Sequence, residues 1–179
     1  DGPSTALALA QSHMADALSD LPDKAVEAES MYRQALATQM ASGHAGGRGP
    51  ILNNLGNLYS ATGRTDAALA CFEQALQWAQ ESGNRHSLVV AATNLSDTRR
   101  VLGQAKPALE VANLGLAAIA GSDRHFAPML WLIRACAEAA LGQQPAACDS
   151  RARALEIRPD LEAAPEFQQL VGDLAAILG

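Results

Sequence analysis

The sequence predicts an all-α fold built from paired antiparallel helices, and three observations support this prediction. Hydrophobic residues make up 49% of the 179 residues but aromatic residues only 4%, so the apolar content is mainly Ala and Leu, which favour helices. A sequence pattern recurs at a period of about 40 residues, as in helical repeat arrays. Within each copy, apolar residues spaced three and four apart stand on both sides of a short turn, which indicates two helices.

The pattern is clearest between residues 49 and 88. Leu52, Leu55 and Tyr59 share one face of a predicted helix because they are three and four residues apart. A turn at Gly63 follows, and then a second series with helical spacing, Ala68, Phe72, Ala75 and Leu76. Sliding this pattern along the chain predicts four units, at about residues 9–48, 49–88, 89–127 and 128–159.

A final helix is predicted over residues 160–178. Asp160 follows Pro159 and is a favourable N-cap residue. The apolar residues of this segment are Leu161, Phe167, Leu170, Val171, Leu174, Ala175 and Leu178. We expect this helix to cap the array, because a terminal repeat otherwise exposes its apolar side.

The second unit resembles a tetratricopeptide repeat. Its residues match the Leu-Gly, Tyr, Gly, Ala, Phe and Ala positions of that family's consensus at Leu55, Gly56, Tyr59, Gly63, Ala68, Phe72 and Ala75. The resemblance implies a right-handed superhelix, an α-α solenoid of about four helix-turn-helix units plus the capping helix, as a single array over residues 1–179. The long period and the run Asn54-Leu55-Gly56-Asn57 resemble the Leu-Gly-Asn subclass, and the Ala-rich composition favours a bacterial origin.

The first unit departs from the consensus in its first helix. Ser12, Ala15, Asp16 and Ser19 stand where the family has Trp, Leu, Gly and Tyr. This departure is typical of a terminal or partly open repeat.

Charge and cysteine content restrict the partners and the compartment. The 13 Lys and Arg residues against 19 Asp and Glu residues give a net charge of −6 without a basic run, so we expect no nucleic-acid partner. No apolar stretch is long enough to predict a membrane partner. The odd set Cys71, Cys136 and Cys148 fits neither a disulfide framework nor a paired-thiol metal motif, which favours free thiols and a cytoplasmic location.

Catalytic and metal-binding patterns are not found in the sequence. The glycine-rich loop at residues 43–49 lacks the Lys and Ser/Thr of a phosphate-binding loop. His44, His86 and His125 recur in equivalent loops, and adjacent repeats separate equivalent atoms by about 10 Å, too far to share one zinc ion. We therefore expect no metal, no cofactor and no enzymatic activity.

The resemblance implies that the first helix of each unit lines an inner groove. Helical spacing maps the predicted ligand-binding residues to Asn53, Asn54, Asn57, Ser60, Thr93, Asn94, Asp97 and Arg100, and the fourth unit continues the groove with Met129, Leu132, Cys136 and Ala139. Asn side chains donate and accept hydrogen bonds together, which suits the backbone of a peptide. Asn54 and Asn94 have an alternative role, in which they bond to neighbouring helices.

Arg100 is predicted to pair with an acidic group of the ligand while Asn57 holds the ligand backbone. Asp97 lies one turn from Arg100 and either orients its guanidinium or repels an acidic ligand. The predicted function is a non-enzymatic protein-protein interaction module that binds a peptide or helix in its groove. Because the sequence starts at Asp1 without Met, the alternative is a regulatory or sensory segment of a larger signalling or transcription-regulating protein, packed against an attached effector domain.

Overall fold

The structure is a computed structural model and describes residues 3–42 and 47–178. All regular elements in these ranges are helical, which confirms the all-α prediction. The α-helices are α1 (Pro3–Ser19), α2 (Ala25–Ala41), α3 (Arg48–Ala61), α4 (Thr65–Ser82), α5 (Arg85–Val101), α6 (Ala105–Ala118), α7 (Ala127–Ala140), α8 (Gln144–Ile157) and α9 (Gln168–Leu178). Two short 3₁₀ helices cover Gly121–Phe126 and Pro165–Phe167.

Several helices that follow each other in sequence pack against each other. Examples are α1 with α2, α3 with α4, and α7 with α8. Helices α3, α5 and α7 begin at residues 48, 85 and 127, near the expected unit starts at 49, 89 and 128, whereas α1 already begins at Pro3. None of the helices described is both long enough and apolar enough to cross a membrane.

The chain divides into two compact units, residues 1–87 (unit 1) and residues 88–179 (unit 2). In unit 1, α2 packs against α1 and α3, and α3 packs against α4. The buried faces carry the residues that helical spacing predicts, including Tyr32, Leu55 and Phe72.

Gly56 shows why α3 and α4 approach so closely. A Cβ atom at this position would lie 2.5 Å from Cε1 of the fully buried Phe72, so any larger residue must displace an aromatic ring. The turn at Gly63 has a left-handed φ of 74°, and its N–H donates to Ser60 O while the Arg64 N–H donates to Tyr59 O. Both carbonyls at the end of α3 are thereby satisfied, which ends the helix.

In unit 2, α7 is the central helix. It packs against α6, α8 and α9, and its residues Leu130, Leu132 and Ile133 are fully buried. Leu161, Phe167, Leu170 and Leu174 from the C-terminal segment complete the same hydrophobic core.

The predicted continuous helix over residues 160–178 is wrong in its extent. A turn, the 3₁₀ helix Pro165–Phe167 and the shorter α9 replace it. Pro165 explains the difference, because the residue before a proline is driven out of the helical region, and Ala164 has φ −78° and ψ 124°. Asp160 therefore caps no helix, and Ala175 is exposed rather than on the apolar face.

Candidate functional site

Helix α3 carries four of the predicted ligand-binding residues. Its apolar residues Leu55 and Tyr59 enter the core of unit 1 and so fix the direction of the other side chains. Asn53 is buried, Asn54 is half-buried, and Asn57 and Ser60 are exposed.

Asn54 takes the role that the alternative assigned to it. Its Nδ2 donates to Oδ1 of Asp16 on α1 at 2.9 Å, and the hydroxyl of Tyr32 on α2 donates to the same oxygen at 2.6 Å. Burial, and then the Asp16 carboxylate, raise the pKa of Tyr32, so its phenol stays protonated and keeps donating. One carboxylate thus ties together three helices of unit 1.

A cleft of about 390 Å³ opens next to this Asp16 cluster. Its lining residues are Asp16, Ser19, Asp20, Tyr32, Asn54, Asn57, Leu58 and Ala61. Two predicted residues, Asn54 and Asn57, therefore share one cleft, whereas Asn53 and Ser60 do not line it. Asp16 and Asp20 give the cleft a negative charge that the sequence-based assignment of groove residues does not include. The sequence does contain one indication of it, because Asp16 is a charged residue at a position where the family consensus has Gly.

Glu29 forms a second polar cluster in unit 1. Its carboxylate accepts a hydrogen bond from Tyr59 Oη at 3.0 Å and forms ion pairs with Arg33 at 2.7 Å and Arg64 at 2.8 Å. The Arg64 guanidinium also lies over the Tyr59 ring, 4.3 Å from its centroid. The hydrogen bond from Arg64 lowers the pKa of Glu29 most, burial opposes it, and Tyr59 and Arg33 lower it further. This cluster joins α2 and α3 to the start of α4.

Helix α5 carries the other predicted residues, in unit 2. Thr93 is buried, and its hydroxyl donates to Val89 O at 2.8 Å, one turn back in the same helix. Asn94 is half-buried, and its backbone carbonyl oxygen accepts a hydrogen bond from the Thr98 hydroxyl at 2.8 Å.

Arg100 is held by two carboxylates of its own chain. Its Nε donates to Asp97 Oδ1 at 2.8 Å and its Nη1 donates to Asp173 Oδ2 of α9 at 2.6 Å. Only 11% of the Arg100 side chain is exposed. Burial works to lower the pKa of Arg100, and the two carboxylates outweigh it and raise the pKa. Asp97 therefore orients the guanidinium, and Asp173 supplies an acidic partner from within the chain.

The groove positions predicted for the fourth unit lie on α7, and α9 lies against them. Cys136 is buried, and its thiol donates to Leu170 O at 3.6 Å. Leu132 and Ala139 are buried in the same core as Leu170 and Leu174. A cleft of about 500 Å³ remains beside α9, lined by Arg100, Val101, Gly103, Ala105, Cys136, Ala137, Ala140, Gln169, Asp173, Ala176 and Ile177.

Residues 3–42 and 47–178 contain no group of three or more His, Cys, Asp or Glu residues placed to hold a metal ion. His86 and His125 are exposed, and His44 lies outside the described residues.

Comparisons with known proteins agree with the repeat and the paired helices. Residues 48–119 match the tetratricopeptide repeat family. The matched residues run from the start of α3 to the end of α6, so they include the second predicted unit, on which the resemblance rests. This part of the chain is therefore similar to tetratricopeptide repeats, which generally mediate protein-protein interactions, and no enzyme family is found.

A solved structure shows the same fold. The crystal structure of the nearly identical tetratricopeptide-like repeats of a putative kinesin light chain from Podospora anserina superposes with a TM-score of 0.62 at 19% sequence identity. The similarity covers 99% of this chain and 97% of that chain. No curated protein matches the sequence significantly.

Proposed function

We propose that this chain is a non-enzymatic protein-interaction module whose unit 1 cleft binds a peptide or helix that carries a Lys or Arg side chain. The observation that carries the proposal is the cleft itself, because it brings the predicted residues Asn54 and Asn57 together with Asp16 and Asp20. Asn57 and Asp20 are exposed at this cleft and accessible to a ligand. The tetratricopeptide match supports a protein partner.

Each lining residue has a distinct role in this proposal. The Asn57 amide bonds to the ligand backbone, for which its donor and acceptor are both suited. Asp20 pairs with the ligand's cation, and Asp16 adds negative charge while it holds Asn54 and Tyr32 in place. Leu58 and Ala61 provide apolar contact for the stem of a Lys or Arg side chain.

Peptide selection tests the proposal without knowledge of the natural partner. A display library of random 12-residue peptides is selected against the full chain, and the affinities of the selected peptides are measured by fluorescence anisotropy. We expect Lys or Arg in the selected peptides. Asn57→Ala should weaken binding about two- to ten-fold and Asp20→Asn about ten-fold or more, because a hydrogen bond to a charged group contributes more than a neutral one.

A matched control is Gln74→Ala on α4, which changes an exposed amide away from the cleft. If selected peptides lose affinity with Gln74→Ala and not with Asn57→Ala or Asp20→Asn, the ligand binds elsewhere and the assignment of the cleft is wrong.

The repeat length and composition support two finer assignments. The period of about 40 residues and the run Asn54-Leu55-Gly56-Asn57 support assignment to the Leu-Gly-Asn subclass, and the Ala-rich sequence supports a bacterial source.

A regulatory segment of a longer protein is the second candidate function, and exposed apolar residues near the start of the chain favour it. Five apolar side chains in this part of the chain are at least half exposed, which suits packing against an attached domain. They are Leu7, Leu9, Met14, Leu21 and Val26. Cloning the longest natural reading frame and adding its flanking segment in trans tests this candidate. Leu9→Gln and Val26→Gln should then weaken the association, and equal affinity of both variants and the original chain would refute it.

A further inference from the structure

We propose that the face formed by α5 and α7 in unit 2 is an acceptor site for an amphipathic helix with an acidic side chain, and that α9 is its resident, exchangeable occupant. This inference concerns unit 2 alone and does not depend on ligand binding at the unit 1 cleft. Four observations support it: the position of α9, its ion pair, its incomplete fit and its short length.

The position of α9 is the first observation. The resemblance to tetratricopeptide repeats predicts a groove face on α7 that includes Leu132, Cys136 and Ala139, and α9 packs against α7 in the same core. The Cys136 thiol donates to the backbone of Leu170, and the apolar side chains Leu170 and Leu174 are buried in the core. The chain thus places a helix of its own where the repeat pattern predicts a partner helix.

The ion pair is the second observation. The sequence predicts that Arg100 pairs with an acidic group of a ligand, and in the structure that group is Asp173 of α9, at 2.6 Å. Asp97 accepts a hydrogen bond from Nε of the Arg100 guanidinium at 2.8 Å and so fixes its orientation. The Nη1 group is thereby directed toward the carboxylate of the bound helix. This arrangement selects helices with Asp or Glu at the position of Asp173 and disfavours helices with Lys or Arg there.

The incomplete fit is the third observation. One face of α9 borders the cleft of about 500 Å³. It carries Gln169 and the residues four, seven and eight positions after it, which are Asp173, Ala176 and Ile177. A polar residue and a small residue, Gln169 and Ala176, leave this space open against Val101, Ala137 and Ala140. A helix with larger apolar side chains at these two positions buries more apolar surface than α9 does and therefore competes with it.

The short length of α9 makes exchange possible. A helix of 11 residues is marginal in isolation, so α9 depends on its contacts with α5 and α7. The segment before it is fixed independently, because Phe167 is buried beneath the Arg158 guanidinium, and Arg158 also pairs with Glu166 at 2.7 Å. Release of α9 therefore needs a change in backbone conformation only after Phe167.

Two measurements on the full chain test the proposal. The first is the labelling rate of Cys136 by a thiol reagent in a Cys148→Ser background, which removes the exposed thiol. Cys136 lies beneath α9, and burial raises its pKa to about 11, so it reacts slowly while α9 is in place. Cys71 is buried in unit 1 and serves as the internal reference for general unfolding.

The second measurement is the affinity for a fluorescein-labelled synthetic peptide of residues 160–178 that carries Gln169→Leu and Ala176→Leu. In the Asp173→Lys chain we expect at least ten-fold faster labelling of Cys136, no change for Cys71, and at least ten-fold tighter binding of this probe than in the unmodified chain. Adding Arg100→Ala should remove the gain in affinity. A probe that also carries Asp173→Lys should not bind.

Asp149→Lys on α8 is the matched control, because it makes the same charge change at an exposed site and should alter neither quantity. Faster labelling of Cys136 without tighter probe binding would show that no acceptor site exists. An unchanged labelling rate would show that α9 is a fixed part of the core. If Asp173→Lys also exposes Cys71 or loses helical content by circular dichroism, Asp173→Asn replaces it and the same two outcomes decide.

Discussion

The Glu29 carboxylate makes the stability of unit 1 sensitive to acid. Its pKa is lowered in the folded chain, chiefly by the hydrogen bond from Arg64, so its contribution is fully present above the unfolded-state pKa of about 4.3 and is lost as the pH falls through the lower, folded value. We expect the melting temperature of the unmodified chain to fall more steeply than that of Glu29→Gln as the pH drops below about 4.3.

At neutral pH the same variant should be the less stable one. Glu29→Gln leaves Tyr59 and two arginines without their carboxylate, at a cost of about 1 to 3 kcal/mol. Glu110→Gln, an exposed carboxylate on α6, is the control and should change the free energy of unfolding by less than about 0.5 kcal/mol. Parallel pH curves for Glu29→Gln and the unmodified chain would contradict this role of Glu29.

Individual site residues could be predicted only in part from the sequence. Helical spacing identifies Asn57 and Arg100 as positions outside the apolar face of their helices. It does not identify the partners of the polar side chains on these helices, because those partners are distant in sequence. Asp16 is 38 residues from Asn54, and Asp173 is 73 residues from Arg100. Asn54 makes such a tertiary contact with Asp16, whereas Asp97 contacts Arg100 within the same helix.

At the scale of helices, two Gly→Ala substitutions should have opposite effects. Gly56→Ala forces a methyl group to within 2.5 Å of the Phe72 ring between α3 and α4, so it should destabilise the chain by about 1 to 3 kcal/mol. Gly172→Ala lies in α9, where no described atom outside the adjoining backbone of the helix is within 4 Å of the new Cβ, so it should stabilise that helix by about 0.5 to 1 kcal/mol. Thermal and chemical unfolding of both variants measure the difference, and changes of the same sign would contradict the helix assignments.

Removal of the C-terminal segment should expose the core of unit 2. Deleting the residues after Asp160 removes Leu161, Phe167, Leu170 and Leu174, which are buried in the core of unit 2. We expect dye binding and aggregation, measured by fluorescence of a hydrophobic dye and by size-exclusion chromatography. A monodisperse truncated chain with an unchanged melting temperature would show that the segment contributes nothing to the core.

The sequence predicted the helices themselves better than their ends. The spacing of apolar residues and the turn glycines identify the helix pairs, because both depend on local backbone geometry. The last helix was predicted too long because its apolar pattern continues through residues 161–170, while Pro165 interrupts the backbone within that pattern.

For the molecule as a whole, charge should influence binding. A net charge of −6 attracts a cationic peptide before contact, and this attraction is screened at high ionic strength. We expect the association rate of a Lys-containing peptide selected against the chain to fall as salt rises from about 0.05 to 0.5 M, by an amount that stopped-flow fluorescence can measure. A neutral peptide should show little change, and equal salt dependence for both peptides would argue against electrostatic attraction.

The repeated turns of the chain have a consequence for folding kinetics. At Gly63, Gly103 and Gly142 the glycine N–H donates to the carbonyl three residues back, and the next N–H donates to the carbonyl five residues back. Each of these turns joins two helices that follow each other directly, so closing a pair requires little loop entropy. Chains dominated by such local contacts fold within microseconds to milliseconds. The successive helix pairs can therefore form as separate early hairpins. The segment that ends in α9 returns to α7 and, through the Asp173–Arg100 ion pair, to α5 as the most distant and latest contacts of unit 2.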